Sequence, residues 1–238
     1  MPVFVLLALV VAAIVIGNWY VTNQRRKSLL AWAQAHGLAF DAERRCDLDT
    51  CYPDLECLRR GSNRYAYNTL AGAWKTHRFT GFDYHYETYG TDSKGHRQTH
   101  HHSFSAVVLE SRVPLKPLVI RPERFFDKVT EFFGFDDIDF ESAEFSRRFY
   151  VKAPDKKWAY AVLHPRTMEF LMAAPVFPLQ FGARGVIAHR DTTFTPAEFE
   201  QAAELVAGIL DRLPAYVEQE LRDATQGVTA DAPQGVTA

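Results

Sequence analysis

The pattern of hydrophobic positions is most pronounced at the start of the chain, where residues 3–21 form an almost unbroken apolar run. Asn18 contributes the one side chain of this run that requires water. Because a helix rises about 1.5 Å per residue, the run matches a bilayer hydrocarbon core about 30 Å thick. The pattern therefore predicts a transmembrane anchor at residues 1–24, in contact with the lipid bilayer through residues 3–22.

Three basic residues, Arg25, Arg26 and Lys27, follow the apolar run, and no lysine or arginine precedes it. A cleaved signal peptide normally begins with a basic segment, so we expect a retained anchor. A cleaved signal peptide and a buried helix of a soluble protein are the alternatives. Because basic residues that flank a span stay in the cytoplasm, we expect a single-pass protein of the cell membrane with an outward N terminus and a cytoplasmic C-terminal domain. The reversed topology is the competing arrangement.

Residues 25–40 combine the basic cluster with a second helical pattern, which Ser28 can cap and Gly37 can end. We expect this short juxtamembrane helix to connect the anchor to the domain. Residues 41–222 then predict one globular domain. Residues 223–238 contain the sequence QGVTA twice and have too little apolar content to fold, so a disordered tail is expected there.

Strand patterns dominate the first part of the domain. Phe82, Tyr84 and Tyr86 alternate with other residues, and residues 104–109 return as a segment rich in valine and phenylalanine. This arrangement predicts a long antiparallel hairpin that closes near residues 92–93.

Helix patterns follow in the second part. Phenylalanines at helical spacing predict a helix over residues 122–134, and a second hairpin is expected at residues 176–190. Thr195, Pro196 and Glu198 form a capping box that opens a further helix. The expected fold class is therefore α+β: an N-terminal transmembrane helix followed by a domain of antiparallel hairpins packed against helices.

The composition indicates a folded domain and argues against nucleic-acid binding. A net charge of −2 and a pI near 6.5 leave no broad basic surface for phosphates. The 18 phenylalanines and 10 tyrosines are typical of sheets packed on helices. The sequence also lacks the motifs of nucleophile elbows, phosphate-binding loops, dinucleotide-binding turns and zincin helices.

Three cysteines, Cys46, Cys51 and Cys57, lie within a short segment. They cannot all pair inside one chain, so free thiols in a reducing compartment are expected, in agreement with a cytoplasmic domain. A metal-binding knuckle is the alternative, although the tight C-x2-C pair that is typical of such sites is missing.

Several passages together resemble an uncharacterised bacterial family of single-span membrane proteins. The resemblance extends from about Leu29 to about Ala174 and implies a membrane tether. No substrate, cofactor or catalytic residue is established for that family, so the resemblance implies no activity. The passages are NTLAGAWKTHRFTGFDYHYETYG, VIRPERFF, DIDFESAEFSRRFYV and WAYAVLHPRTMEFL.

A group of histidines on the returning strand of the first hairpin is the most unusual local composition. If the hairpin closes symmetrically, His85 faces His102. Glu87 then faces His100, so three imidazoles and a carboxylate share one face, with ligand types that suit a divalent metal ion. A shift of one residue in the pairing would distribute them over both faces, and a solvated hairpin end is the alternative. The candidate metal site consists of His85, Glu87, His100 and His102.

These features predict a membrane-tethered interaction module that binds protein partners at the membrane surface, where tethering raises their effective concentration. The alternative is a membrane-tethered, metal-dependent enzyme that uses the histidine cluster. An enzyme requires an enclosed pocket around those side chains, whereas an interaction module would present them on an open surface. No catalytic residue is assigned.

Overall fold

A single long helix, α1 (Pro2–Ala35), opens the structure. This computed structural model describes residues 2–91, 95–123, 136–138 and 140–230. The sequence predicts a second helix that begins at Ser28, but α1 continues through this position, and the Ser28 hydroxyl donates to the carbonyl of Arg25 one turn earlier. The prediction of two helices was wrong because extending a formed helix costs far less than starting a new one. Gly37, with a φ of +67°, follows the end of α1 as predicted.

The described strands form one antiparallel sheet. They are β1 (Ala39–Asp41), β2 (Ser62–Trp74), β3 (His77–Thr91), β4 (Arg97–Glu110), β5 (Leu118–Pro122), β6 (Asp136–Asp137), β7 (Phe149–Ala153), β8 (Leu179–Gly182) and β9 (Gly185–Arg190). Their order across the sheet is β1-β2-β3-β4-β9-β8-β5-β7-β6. The two predicted hairpins are confirmed as β3–β4 and β8–β9.

Short helices connect the strands, and two longer helices end the described chain. They are α2 (Leu48–Cys51), α3 (Ala143–Arg148), α4 (Lys156–Val162), α5 (Pro165–Ala173), α6 (Pro196–Leu210) and α7 (Ala215–Ala230), with a 3-10 turn at Glu56–Leu58. The predicted capping box at the start of α6 is confirmed: the Thr195 side chain accepts from the Glu198 backbone N–H, and the Glu198 carboxylate accepts from the Thr195 N–H. The fold is mixed α+β, as expected.

Both faces of the central strands are buried, each in its own apolar cluster. On one face Phe79 packs among residues of α6, including Phe199, and among Leu29 and Ala33 of α1. On the other face Phe82, Tyr84 and Phe104 pack against α2 and the 3-10 turn. Segments 41–60 and 190–222 therefore cover opposite sides of the same strands, which makes the inner half of β3–β4 the centre of the molecule.

Two predictions concern segments that lie partly or wholly outside the described residues. The predicted helix after Pro122 lies outside the described residues, which resume at Asp136. The first QGVTA copy, at residues 226–230, belongs to α7, although a disordered tail is expected there. Val217 and Leu221 are buried and hold the first turns of α7, from which the helix extends. The second copy lies outside the described residues.

Candidate functional site

The N-terminal part of α1 carries large apolar side chains that are exposed. Three consecutive residues, Leu9, Val10 and Val11, are 63%, 49% and 52% exposed. The transmembrane character expected of residues 1–24 is not confirmed: within the part of the chain that the structure describes, no helix combines the length and the apolar character needed to cross a membrane. The other large apolar residues exposed before Thr22 are Phe4, Leu7, Val15, Ile16, Trp19, Tyr20 and Val21.

The C-terminal part of α1 instead packs into the domain. Leu29 and Ala33 are fully buried in the apolar cluster that contains Phe79. The Trp32 ring stacks on Trp74 of β2 with centroids 5.9 Å apart, and it lies 6.2 Å from the ring of Phe199 on α6. The same helix therefore has an exposed apolar part and a part that belongs to the domain core.

An ion pair between a partly exposed arginine and a buried carboxylate joins α1 to the central strands. Arg25 donates from Nη1 to Oδ2 of Asp83 over 2.7 Å and from Nη2 to Oδ1 over 2.9 Å, a bidentate geometry. Nη2 also donates to the carbonyl of Phe194 over 2.8 Å. Asp83 is fully buried on β3. Bidentate pairs of arginine with carboxylate are among the stronger polar contacts in proteins, so this pair fixes how α1 meets the sheet.

The remaining hydrogen-bonding capacity of Asp83 is also used. Asn68 Nδ2 donates to Oδ2 over 2.8 Å, and the Ser105 hydroxyl donates to Oδ1 over 2.5 Å. Ser105 Oγ in turn accepts from the backbone N–H of Phe194. A buried carboxylate is tolerated only when it is paired and hydrogen-bonded, and Asp83 meets both conditions. Burial, and then the negative charge of Asp83, raise the pKa of the nearby Tyr67 phenol.

This junction was missed by the sequence reasoning, which assigned Arg25 to a basic cluster beside the membrane. Arg26 and Lys27 are exposed, but Arg25 is directed into the domain. The available signal was Asp83 itself, a charged residue in the middle of the aromatic strand segment FDYHY. An isolated carboxylate in a strand that is buried on both faces requires a cation, although its spacing in sequence does not say which one.

The histidine-bearing outer half of β3–β4, here called the histidine hairpin (residues 85–91 and 97–103), pairs in a different register from the expected one. His102 is opposite Tyr86, and His100 is opposite Thr88. The expected pairs, His85 with His102 and Glu87 with His100, were therefore wrong by one residue. Since neighbouring residues of a strand point to opposite faces, His100 and His102 lie on the other face from His85 and Glu87.

The observed register brings His101 to the face of His85 and Glu87 instead. His101 is directly opposite Glu87, and its Nδ1 lies 3.4 Å from Glu87 Oε1. His85 Nε2 lies 3.7 Å from the same oxygen. The three potential ligand atoms all lie within 4.8 Å of one another. Histidine, cysteine, aspartate and glutamate are the side chains that commonly bind metal ions. Among the described residues, these three side chains form the group of that kind whose spacing suits a metal ion.

Neighbouring side chains hold this group in place. Asn63 donates to Glu87 Oε1 over 2.7 Å. This hydrogen bond, followed by contacts with His85 and His101, lowers the pKa of the Glu87 carboxyl. Tyr65 stacks on the His85 ring with centroids 4.7 Å apart. The group, named here the His85–Glu87–His101 cluster, is thus supported by β2 as well as by the hairpin itself.

The two predicted ligands on the opposite face have other contacts. The His102 ring stacks on Tyr86 with centroids 4.7 Å apart, and its Nε2 lies 2.8 Å from the Thr88 hydroxyl. The His100 ring lies beside Gly90, where an added Cβ would be 3.1 Å from Nε2. These contacts position both histidines as parts of the hairpin surface, apart from the His85–Glu87–His101 cluster.

The cluster is open to solvent on one side. His85 and Glu87 side chains are 12% and 13% exposed, but His101 is 64% exposed. Two clefts that the structure describes are formed by other residues. One, of about 460 Å³, lies between α4 and α7 beside Trp158. The other, of about 480 Å³, lies between α5 and α6 beside Phe170. The cluster is therefore accessible to solvent from the side of His101.

The three cysteines are free thiols. Cys46 is exposed, whereas Cys57 is buried in the apolar cluster that contains Phe82, and this burial raises the pKa of its thiol to about 12. No group of metal-ligand side chains within the described residues includes them.

Comparison with known proteins identifies a shared fold. Neither a protein-family model nor a curated protein matches the chain. Among solved structures, the chain is similar to the crystal structure of the mycobacterial trehalose monomycolate transport factor A, TtfA, with a TM-score of 0.59. The two are 13% identical, and the alignment covers 78% of this chain and 92% of that chain. At this level of identity the similarity establishes that the α+β fold is common to both.

Proposed function

We propose that this protein is a membrane-tethered interaction module, in which α1 attaches the α+β domain to a membrane and the domain binds protein partners at its surface. The main support is that two parts of the continuous helix α1 have different surroundings. Its first part exposes apolar side chains, and its second part is fixed to the domain by Leu29, Ala33 and the Arg25–Asp83 pair. A helix attached in this way would hold the domain close to the bilayer in a defined orientation.

Lipid is the proposed surrounding of the exposed part because the apolar surface is not confined to one side of the helix. Leu9, Val10 and Val11 are consecutive, as are Trp19, Tyr20 and Val21, so exposed apolar residues point in several directions. A protein groove covers a single stripe of a helix, whereas a helix that is apolar all round suits a core or a bilayer. Contiguous exposed apolar surface of this extent is rare on soluble monomers.

The proposed topology places the N terminus outside and the domain in the cytoplasm. Arg26 and Lys27 are exposed next to the apolar part of α1. Because basic residues that flank a span usually stay in the cytoplasm, these two residues favour a cytoplasmic domain. Membership of the uncharacterised bacterial family of single-span membrane proteins is proposed together with this topology. The fold shared with a transport factor agrees with a role in binding partners, although no partner is identified by it.

Alkaline extraction of bacterial membranes tests the attachment. The full chain is expressed untagged, and the membrane pellet is washed with carbonate, which removes peripheral proteins. The proposal expects the chain to stay in the pellet. Release into the carbonate wash would refute a spanning attachment.

Labelling of the exposed Cys46 with a membrane-impermeant maleimide in intact cells tests the topology. Labelling is expected only after the cells are permeabilised, and the Cys46→Ser variant supplies the background. Labelling of Cys46 in intact cells would establish the reversed topology.

A further inference from the structure

We propose that His85, Glu87 and His101 form a Zn²⁺ site on the surface of the histidine hairpin, independent of the membrane attachment. Two imidazoles and one carboxylate are a ligand set that zinc uses when a further coordination position stays open. The site keeps His85 and Glu87 of the expected set, and His101 takes the place of both His100 and His102.

The separations between the ligand atoms are compatible with a shared metal ion. Direct N–H···O hydrogen bonds are about 2.7–3.2 Å long. The distances from Glu87 Oε1 to His101 Nδ1 and His85 Nε2 are 3.4 and 3.7 Å, too long for such bonds. Zinc–ligand distances of about 2.0–2.1 Å in a tetrahedral arrangement place ligand atoms about 3.3 Å apart. The two distances from Glu87 Oε1 are thus close to the separation expected of ligand atoms around one ion, and all three ligand atoms lie within 4.8 Å of one another.

The strands place these ligands before any ion binds. His85 and Glu87 lie two residues apart on one face of β3, and His101 is the directly paired residue on β4. The stacked Tyr65 fixes the His85 ring, and Asn63 donates to the oxygen of Glu87 that faces both histidines. Such outer contacts orient metal ligands and increase affinity. His101 is the most exposed of the three ligands, so its ring has the most freedom to adjust.

The solvent-facing side of the cluster determines what the ion would do. His101 forms this side, and the position that the three side chains leave open is available to water or to a donor atom of a partner. A zinc ion bound there could coordinate a donor atom of a partner through its open position. The surface of the histidine hairpin would then bind a partner by metal coordination as well as by hydrogen bonds and ring contacts.

Zinc titration of the full chain tests the site. The protein is purified in detergent without a polyhistidine tag, stripped with EDTA, and titrated with Zn²⁺ in competition with a chromophoric chelator. One equivalent is expected to bind. His101→Ala and His85→Ala should each weaken binding at least about tenfold. His100→Ala and His102→Ala are matched controls on the opposite face and should leave the affinity within about twofold.

Three outcomes overturn the proposal. The first is a wild-type protein that binds no zinc, and the second is zinc binding that the His101→Ala variant retains unchanged. An equal loss in the His100→Ala and His102→Ala variants would also overturn it, because it would assign the ion to a different set of histidines. Circular dichroism melting of each variant shows whether it is folded. His101 is exposed, so its variant keeps the test valid even if His85→Ala fails to fold.

Discussion

Arg25 on α1 and Asp83 on β3 form a bidentate ion pair whose carboxylate is fully buried. The two residues are 58 positions apart in the chain, and the pair joins the N-terminal helix to the centre of the sheet. Because α1 is continuous, this contact also fixes how the exposed apolar part of the helix is connected to the domain. The pair is therefore the structural link between the proposed attachment and the folded module.

Loss of this arginine should strongly destabilise the domain. Arg25→Ala leaves Asp83 as a buried charge without its cation, so the free energy of unfolding should fall by about 3 kcal/mol. The exposed neighbour supplies the control, since Arg26→Ala should change it by no more than about 0.5 kcal/mol. Urea unfolding of the full chain in detergent, followed by circular dichroism, measures both. Equal effects of the two variants would show that the pair does not hold α1 in place.

Docking of α1 into the core is tested by two adjacent leucines. Leu29 is fully buried, and Leu30 is 41% exposed. Leu29→Ala should lower the free energy of unfolding by about 2–5 kcal/mol through lost burial and a cavity, whereas Leu30→Ala should have a far smaller effect. Thermal or urea unfolding separates them. Similar small losses would mean that the second part of α1 is not part of the core.

The capping box of α6 makes stability depend on pH. The hydrogen bond from the Thr195 backbone N–H, together with the Thr195 side chain and Arg190, lowers the pKa of Glu198 below its usual value near 4.5. A lowered pKa in the folded state stabilises the protein above the unfolded pKa, and this contribution is lost as the pH falls through the folded pKa. Glu198→Gln should therefore be less stable than wild type at pH 7, with a difference that shrinks below about pH 4.5.

Urea unfolding of both proteins at a series of pH values measures this difference. Glu200→Gln, an exposed position in the same helix, is the control and should show no such dependence. If the difference in free energy of unfolding between wild type and Glu198→Gln stayed constant down to acid pH, it would contradict the stabilising role of the Glu198 carboxylate.

Thiol reactivity should follow burial. Cys46 is exposed and should react with iodoacetamide at pH 8, while Cys57 should resist because burial keeps its thiol protonated, with a pKa of about 12. Mass spectrometry of the digested protein identifies the labelled sites, and urea should make Cys57 reactive. Equal labelling of both thiols in the folded protein would contradict the burial of Cys57.

Features set by neighbouring residues were predictable from the sequence. The β8–β9 hairpin and the capping box at Thr195 and Glu198 depend on turn glycines and on contacts three residues apart. The Arg25–Asp83 pair depends on residues distant in sequence, and no local pattern connects them. The continuity of α1 was missed for a different reason: Ser28 is a favourable cap in isolation, but a helix already formed before it does not stop there.

The register of the histidine hairpin was unpredictable for a physical reason. Register can be read from sequence when one strand face is apolar and the other polar. Here Phe82 and Phe104 are buried on one face, while Phe79 and Val107 are buried on the other, so both faces of the inner strands are apolar. The hydrophobic pattern therefore does not distinguish between two registers that differ by one residue, and the polar histidines of the outer half do not distinguish between them either.

Flotation with liposomes tests the membrane attachment most directly. The purified full chain is mixed with vesicles of phosphatidylethanolamine and phosphatidylglycerol, detergent is removed, and the sample is centrifuged in a density gradient. Wild type should float with the vesicles. A variant with Leu9→Asp, Val11→Asp and Ile16→Asp should stay at the bottom, since each aspartate costs about 2.5–3.5 kcal/mol near the centre of a bilayer helix.

The matched control replaces three exposed apolar residues after the basic cluster, Leu30→Asp, Tyr89→Asp and Tyr216→Asp, and should float like wild type. Flotation of wild type and the control but not of the α1 variant is the result predicted by a membrane-tethered module. A wild-type protein that remains at the bottom of the gradient, or an α1 variant that floats as well as wild type, would contradict it.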